Sequence, residues 1–221
     1  MRNAKRVQLL SIKDVPDYLA TNKNLRFGYR KCSTHMECIQ SICYWSISQW
    51  SSISSGLVFV YGVVLLLWTM NEPAMEVTRR RALVAMGLNA LLHSPPSTAY
   101  HVFGEAVGMG RSCFEFWQRI DFLFINVSSV PLSYALALAA AHRFPHLSWC
   151  TPFAVGSTIA CCFAVWQNLE SVITPETRVR FLGVLVLCYL SPVMCTWAIA
   201  PVSAPAACGY GIVGALGLGA F

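Results

Sequence analysis

The sequence predicts an all-α, multi-pass transmembrane helical bundle, and three observations carry that expectation. Five apolar runs of about 20 residues recur along the chain, each long enough to cross the roughly 30 Å of hydrocarbon in a bilayer at 1.5 Å per helical residue. Hydrophobic residues make up 56% of the chain and charged residues only 12%, whereas a soluble domain carries about 25% charged residues. The positive charge is also concentrated, with eight of the sixteen Lys and Arg in the first 31 residues. A basic arm ahead of apolar segments marks the side that stays in the cytoplasm rather than a nucleic-acid surface.

Residues 1–50 read as a basic, cytoplasmic N-terminal region with no run long enough to span and room for a short amphipathic piece on the membrane surface. The opening M-R-N-A-K-R-V-Q-L-L lacks the apolar core and small-residue cleavage site of a signal peptide. Residues 51–221 read as the transmembrane domain. Its first span is placed at 51–70, where G-L-V-F-V-Y-G-V-V-L-L-L-W is uncharged and Trp68 falls at interface depth. A loop with Glu72, Glu76 and three successive arginines, Arg79, Arg80 and Arg81, leads to the second span at 82–103. A connection rich in glycine and charge occupies 104–119. Further spans follow at 120–141, 150–169 and 181–200.

A sixth apolar segment, 206–221, is glycine-rich and has 16 residues. A crossing needs about 20, so this segment reads as partial: it stays at an interface or belongs to a longer protein. With the N-terminus inside, twelve basic residues lie inside and four outside, although the arginine triplet opposes the rule locally. The Asn126-Val127-Ser128 sequon falls within the third span, where glycosylation cannot reach it. Among the ten cysteines, those in apolar runs behave as small hydrophobes, and no C-x-x-C pair exists. Cys32, Cys38 and Cys43 precede the first span, where they are candidates for reversible acylation.

One stretch concentrates the chemistry. Ser97 and His101 are four residues apart, so on a helix they share a face, and Asp121 stands at the mouth of the next span. Ionisable groups in membrane segments are expensive and normally face the protein interior or a wet cavity, which makes His101 and Asp121 functional candidates. Pro95 and Pro96 cannot donate to the carbonyls of Leu91 and Leu92, so the segment should kink before Ser97, with Ser94 and Ser97 nearest to satisfy the freed groups. The alternative makes His101 an interhelical hydrogen-bonding residue and Asp121 an interfacial helix start.

The segment D-V-P-D-Y-L-A-T-N-K-N-L-R-F-G-Y-R (Asp14 to Arg30), then Cys38-Ile39-Gln40-Ser41-Ile42, then Ser97, His101 and Asp121-Phe122 resemble, in that order, the progestin and adipoQ receptor family, which includes the adiponectin receptors and is related to the haemolysin III proteins. The resemblance runs from about residue 14 to the end. It implies a seven-span fold, of which five full spans and a partial sixth are present here. It also implies a zinc ion held by one histidine of the second span and an H-x-x-x-H pair of the seventh, with His101 as metal ligand, Asp121 orienting or activating a zinc-bound water, and Ser97 beside it. Zinc keeps one position for a water whose pKa it lowers toward about 7, and a carboxylate can take the proton as that water attacks a lipid amide.

The chain departs from that family in two places. The family's N-E-x-x-N-x-x-T-H stretch is replaced by S-I-S-Q-W-S-S-I-S-S at 46–55, without acid or histidine. No H-x-x-x-H helical pair exists, because Pro145 stands between His142 and His146, so the zinc set implied by the resemblance is incomplete in this chain. Two functional expectations follow. The first is a signalling receptor whose full-length relatives carry a ceramidase-like hydrolysis. The second is a degenerate, non-catalytic membrane protein that binds a lipid or a protein partner through the same bundle. A transporter would show repeated halves, which the chain lacks.

Overall fold

A computed structural model describes residues 9–20, 27–43, 47–169 and 175–199. Two short strands, β1 (Leu9–Ser11) and β2 (Phe27–Arg30), pair antiparallel with Leu10 opposite Tyr29 and Leu9 opposite Arg30. Helices account for most of the rest: α1 (His35–Gln40), α2 (Ile47–Asn71), α3 (Val77–Ala99), α4 (Arg111–Arg143), α5 (Cys150–Leu169) and α6 (Pro175–Ile199). A π-helical turn, Tyr100–Gly104, continues α3.

Among the described residues, three helical stretches are long and apolar enough to cross a membrane: Ser51–Asn71, Arg111–Arg143 and Pro145–Trp166. Arg180–Cys195 is apolar but shorter, and α3 carries the arginine triplet, His93 and two prolines. Each of the five apolar runs lies on one of these long helices. The segment 206–221 lies outside the described residues.

The second half of the predicted 104–119 connection is helix instead, because α4 starts at Arg111. Arg111 Nε pairs with Glu115 Oε1 at 2.8 Å one turn on, and Phe114 turns inward to a buried position. At 1.5 Å per residue, the 33 residues of α4 extend roughly 50 Å, more than a hydrocarbon core, so its charged first turns have room to lie beyond the lipid chains.

The described residues fall into two compact units, one within Met1–Trp68 and Gly87–Ser128, the other within Thr69–Met86 and Ser129–Phe221. In the first, Leu19, Tyr29 and Phe114 form one apolar cluster, and Cys32, Cys38, Val102 and Ala106 form another. Two glycines of α2 and α3 set a close helix approach: a Cβ at Gly62 would strike Ala90, and one at Gly87 would strike Leu66.

Cys32 and Cys38 are fully buried, which removes them as acylation sites; burial and the adjacent Cys32 push the Cys38 thiol up to about 12. Of the third acylation candidate, Cys43, only the backbone is described. Asn126 is buried as well, its amide donating to the Phe122 carbonyl at 2.6 Å.

In the second unit, Ala137 and Ala154 are fully buried, and Thr158 Oγ1 donates to Ser133 Oγ at 3.0 Å. Small residues bring helix backbones together and hydroxyls join them, as in membrane bundles. At the start of α3 the Glu76 carboxylate accepts from the backbone N–H groups of Thr78 at 2.7 Å and Arg79 at 2.8 Å. These bonds at a helix N-terminus favour the ionised form and hold this exposed carboxyl down to about 2, from an ordinary 4.5.

A depressed folded-state pKa gives stability that is complete above the ordinary value and lost as pH falls through the folded one. We therefore expect Glu76→Gln to lower thermal stability at neutral pH, and the gap between variant and wild type to close between 4.5 and about 2. A gap that persists unchanged in acid would show that the carboxylate charge is not what caps α3.

Candidate functional site

Helix α3 runs on through Pro95 and Pro96 without ending. The Ser94 hydroxyl donates to the Ala90 carbonyl at 2.7 Å, one residue before the two carbonyls that the prolines release. The Ser97 hydroxyl instead accepts from Ser55 Oγ of α2 at 3.3 Å. The backbone opens only at Tyr100–Gly104, where the Glu105 N–H donates to the Tyr100 carbonyl five residues back at 3.2 Å. Single π turns of this kind occur frequently at functional sites.

This turn has a geometric consequence for the polar residues. His93, Ser97, His101 and Glu105 recur every four residues. In a regular α-helix each step of four overshoots the starting face by about 40°, so a ladder of four residues would wind off its face. An i→i+5 turn is wider and takes back part of that drift, which keeps His101 and Glu105 on the side of Ser97.

The side chains converge accordingly. His101 Nδ1 lies 3.2 Å from Glu105 Oε2, but off the hydrogen-bonding line, so both atoms are buried without an aligned partner. Asp121, on the facing part of α4, interacts electrostatically with His101 and Glu105, and its carboxyl is within reach of the Ser97 hydroxyl. Its Oδ1 is also buried and unpartnered, as is His93 Nδ1. His93 in turn feels the charge of His101. Leaving a buried polar atom without a hydrogen bond costs about 1–3 kcal/mol, and five such atoms lie on His93, His101, Glu105, Asp121 and Arg30, His101 and Glu105 being ion-paired.

On the neighbouring face of the same helix, Pro95, Thr98, Ala99 and Val102 line an open apolar groove of about 410 Å³ with Gly56 and Phe59 of α2. Polar and apolar recognition elements thus run side by side along the C-terminal half of α3.

The turn is held from the N-terminal segment. Arg30, at the end of β2, is 1% exposed. Its Nη2 donates to the carbonyls of His101 and, at 3.0 Å, Val102, while Nη1 donates to Ser41 Oγ at 2.6 Å and the Cys38 carbonyl at 3.4 Å. Backbone bridging of Arg30 to Ala106 adds to the attachment. Gly108 permits it, since a Cβ there would collide with the Cys32 carbonyl. Burial and the Glu105 carboxylate raise the Tyr29 phenol above its usual value.

The structure therefore brings Ser97, His101 and Asp121 into one neighbourhood and adds His93, Glu105, Ser55 and Arg30. Glu105 was legible in principle as the carboxylate four residues after His101. Ser55 belongs to the serine-rich 46–55 stretch that departs from the family pattern, and nothing local singled it out.

Among the described residues no three His, Cys, Asp or Glu side chains come together as a metal-ligand set. The described residues do not fit a closed zinc site. No protein-family model matches the chain, and no curated protein matches it.

Proposed function

We propose that this chain is a multi-pass membrane protein of the progestin and adipoQ receptor type that binds an amphipathic lipid, with the polar head at Ser97, His101, Glu105 and Asp121 and the apolar part along the α3 groove. One observation carries the reading: polar atoms of His93, His101, Glu105 and Asp121 that are buried without a hydrogen bond gather beside an apolar groove, with His101 and Glu105 paired at 3.2 Å. The site offers carboxylate acceptors and imidazoles able to donate or accept, which suits a headgroup bearing hydroxyl or amide groups. Binding sites of this kind pair an apolar wall with a few placed polar groups.

Signalling would follow from lipid occupancy rather than from hydrolysis, because the described donors do not assemble a metal site. The ceramidase-like chemistry of the resemblance belongs to relatives with a complete ligand set. In membrane terms the reading has five full spans, a partial sixth at 206–221 and a cytoplasmic N-terminus. The five long helices and the twelve-to-four split of basic residues support it. A glycosylation acceptor fused ahead of Met1 should stay unmodified; its modification would reverse the orientation.

Binding should be read with a fluorescent N-acyl sphingoid lipid and the protein in nanodiscs. We expect His101→Ala and Asp121→Ala each to weaken binding about tenfold, or about 1.4 kcal/mol, and the double variant to lose little beyond the worse single one. Additive or negligible effects in folded protein would leave these residues only a structural role.

A further inference from the structure

We infer that Arg30 is the positioning residue of the candidate site, acting by holding the backbone of the π turn in the register that sets His101 beside Glu105. The inference rests on the proposed site for its significance, but its geometry stands independently of any ligand.

The argument starts from the end of a helix. The last carbonyls of a helix have no partner within it, and in or near a bilayer they need one from elsewhere. At the end of the α3 extension, the carbonyls of His101 and Val102 both receive N–H groups from a single Arg30 nitrogen. The other terminal nitrogen is anchored on Ser41 Oγ and the Cys38 carbonyl. The guanidinium is therefore a rigid spacer with acceptors at both ends.

Its charge needs the same explanation. Among the described residues no carboxylate lies within ion-pair distance of Arg30, although the side chain is almost wholly buried. Carbonyls at helix C-termini carry partial negative charge, and they surround this cation in place of an anion. A planar fork can serve two separated groups of acceptors at once, whereas an ammonium is a point donor that reaches one group only. Shape as well as charge is therefore required. Because the two anchored carbonyls are those of His101 itself and its neighbour, any shift of this stretch of backbone carries the imidazole with it and changes its place beside Glu105.

The experiment uses Arg30→Lys, which keeps the charge but loses the fork, and Ser41→Ala, which removes one anchor and keeps the arginine. The protein is reconstituted in lipid without added ligand. Two signals are followed: hydrogen exchange at the Glu105 amide, which reports the π-type bond to Tyr100, and the imidazole NMR resonances of His101. Amides of α5 serve as the control for general destabilisation.

Arg30→Lys should speed Glu105 exchange by about tenfold or more and shift the His101 resonances, with α5 protection unchanged. Ser41→Ala should move both signals in the same direction by less. If both variants keep wild-type Glu105 and His101 signals, or if protection in α5 falls in parallel, Arg30 does not position the site. Should Arg30→Lys fail to fold, Ser41→Ala decides by the same criteria. Failure of the lipid-binding measurement would leave this result untouched, so the two ideas fall separately.

Discussion

A single buried guanidinium joins two stretches of chain about 70 residues apart in sequence, and the candidate site depends on that junction. Arg30 meets carbonyls and a hydroxyl on both sides, with Nη1 to Ser41 and Cys38 and Nη2 to His101 and Val102. Burying a charge is costly unless it is thoroughly hydrogen-bonded, and removing one side of such a network leaves the other side stranded. The arrangement therefore fixes both participants. The N-terminal strand pair cannot leave the π turn without stripping the cation of the His101 and Val102 carbonyls.

From that constraint the chemistry of the site follows. The widened turn keeps a four-residue polar ladder on one side of the α3 extension while the apolar groove occupies the adjacent side. Neither feature alone would suggest a ligand: a polar stripe could be interhelical bonding, and an apolar groove could face lipid. Side by side, with His101 Nδ1, Glu105 Oε2 and Asp121 Oδ1 all buried without a hydrogen bond, they support the proposal of a ligand that is polar at one end and apolar at the other.

Much of this was legible in the sequence, because its signals are local. Apolar runs of span length gave the positions of α2 to α6, and the four-residue spacing put Ser97 and His101 on one face. The misses have a common physical cause, which is that they depend on partners distant in sequence. The proline pair suggested a kink before Ser97, yet the helix runs on through Pro95 and Pro96, and the backbone opens at Tyr100. Cys32 and Cys38 read as candidates for acylation because only their position before the first span was visible; packing against Val102 and Ala106 buries them. The early start of α4 was hidden by the charges that support it, Arg111 and Glu115. Arg30 was one residue of a signature until the carbonyls it reaches were known.

The most direct measurement is a solid-state NMR distance between guanidinium ¹⁵Nη of Arg30 and the ¹³C-labelled carbonyl carbons of His101 and Val102, in protein reconstituted in lipid bilayers. Both carbonyls should show strong dipolar contact with one Nη nitrogen, as expected for hydrogen bonds of the kind seen here, with Val102 O at 3.0 Å. Absence of contact to either carbonyl in folded protein would contradict the account, because nothing would then hold His101 and Glu105 in the register on which the site depends.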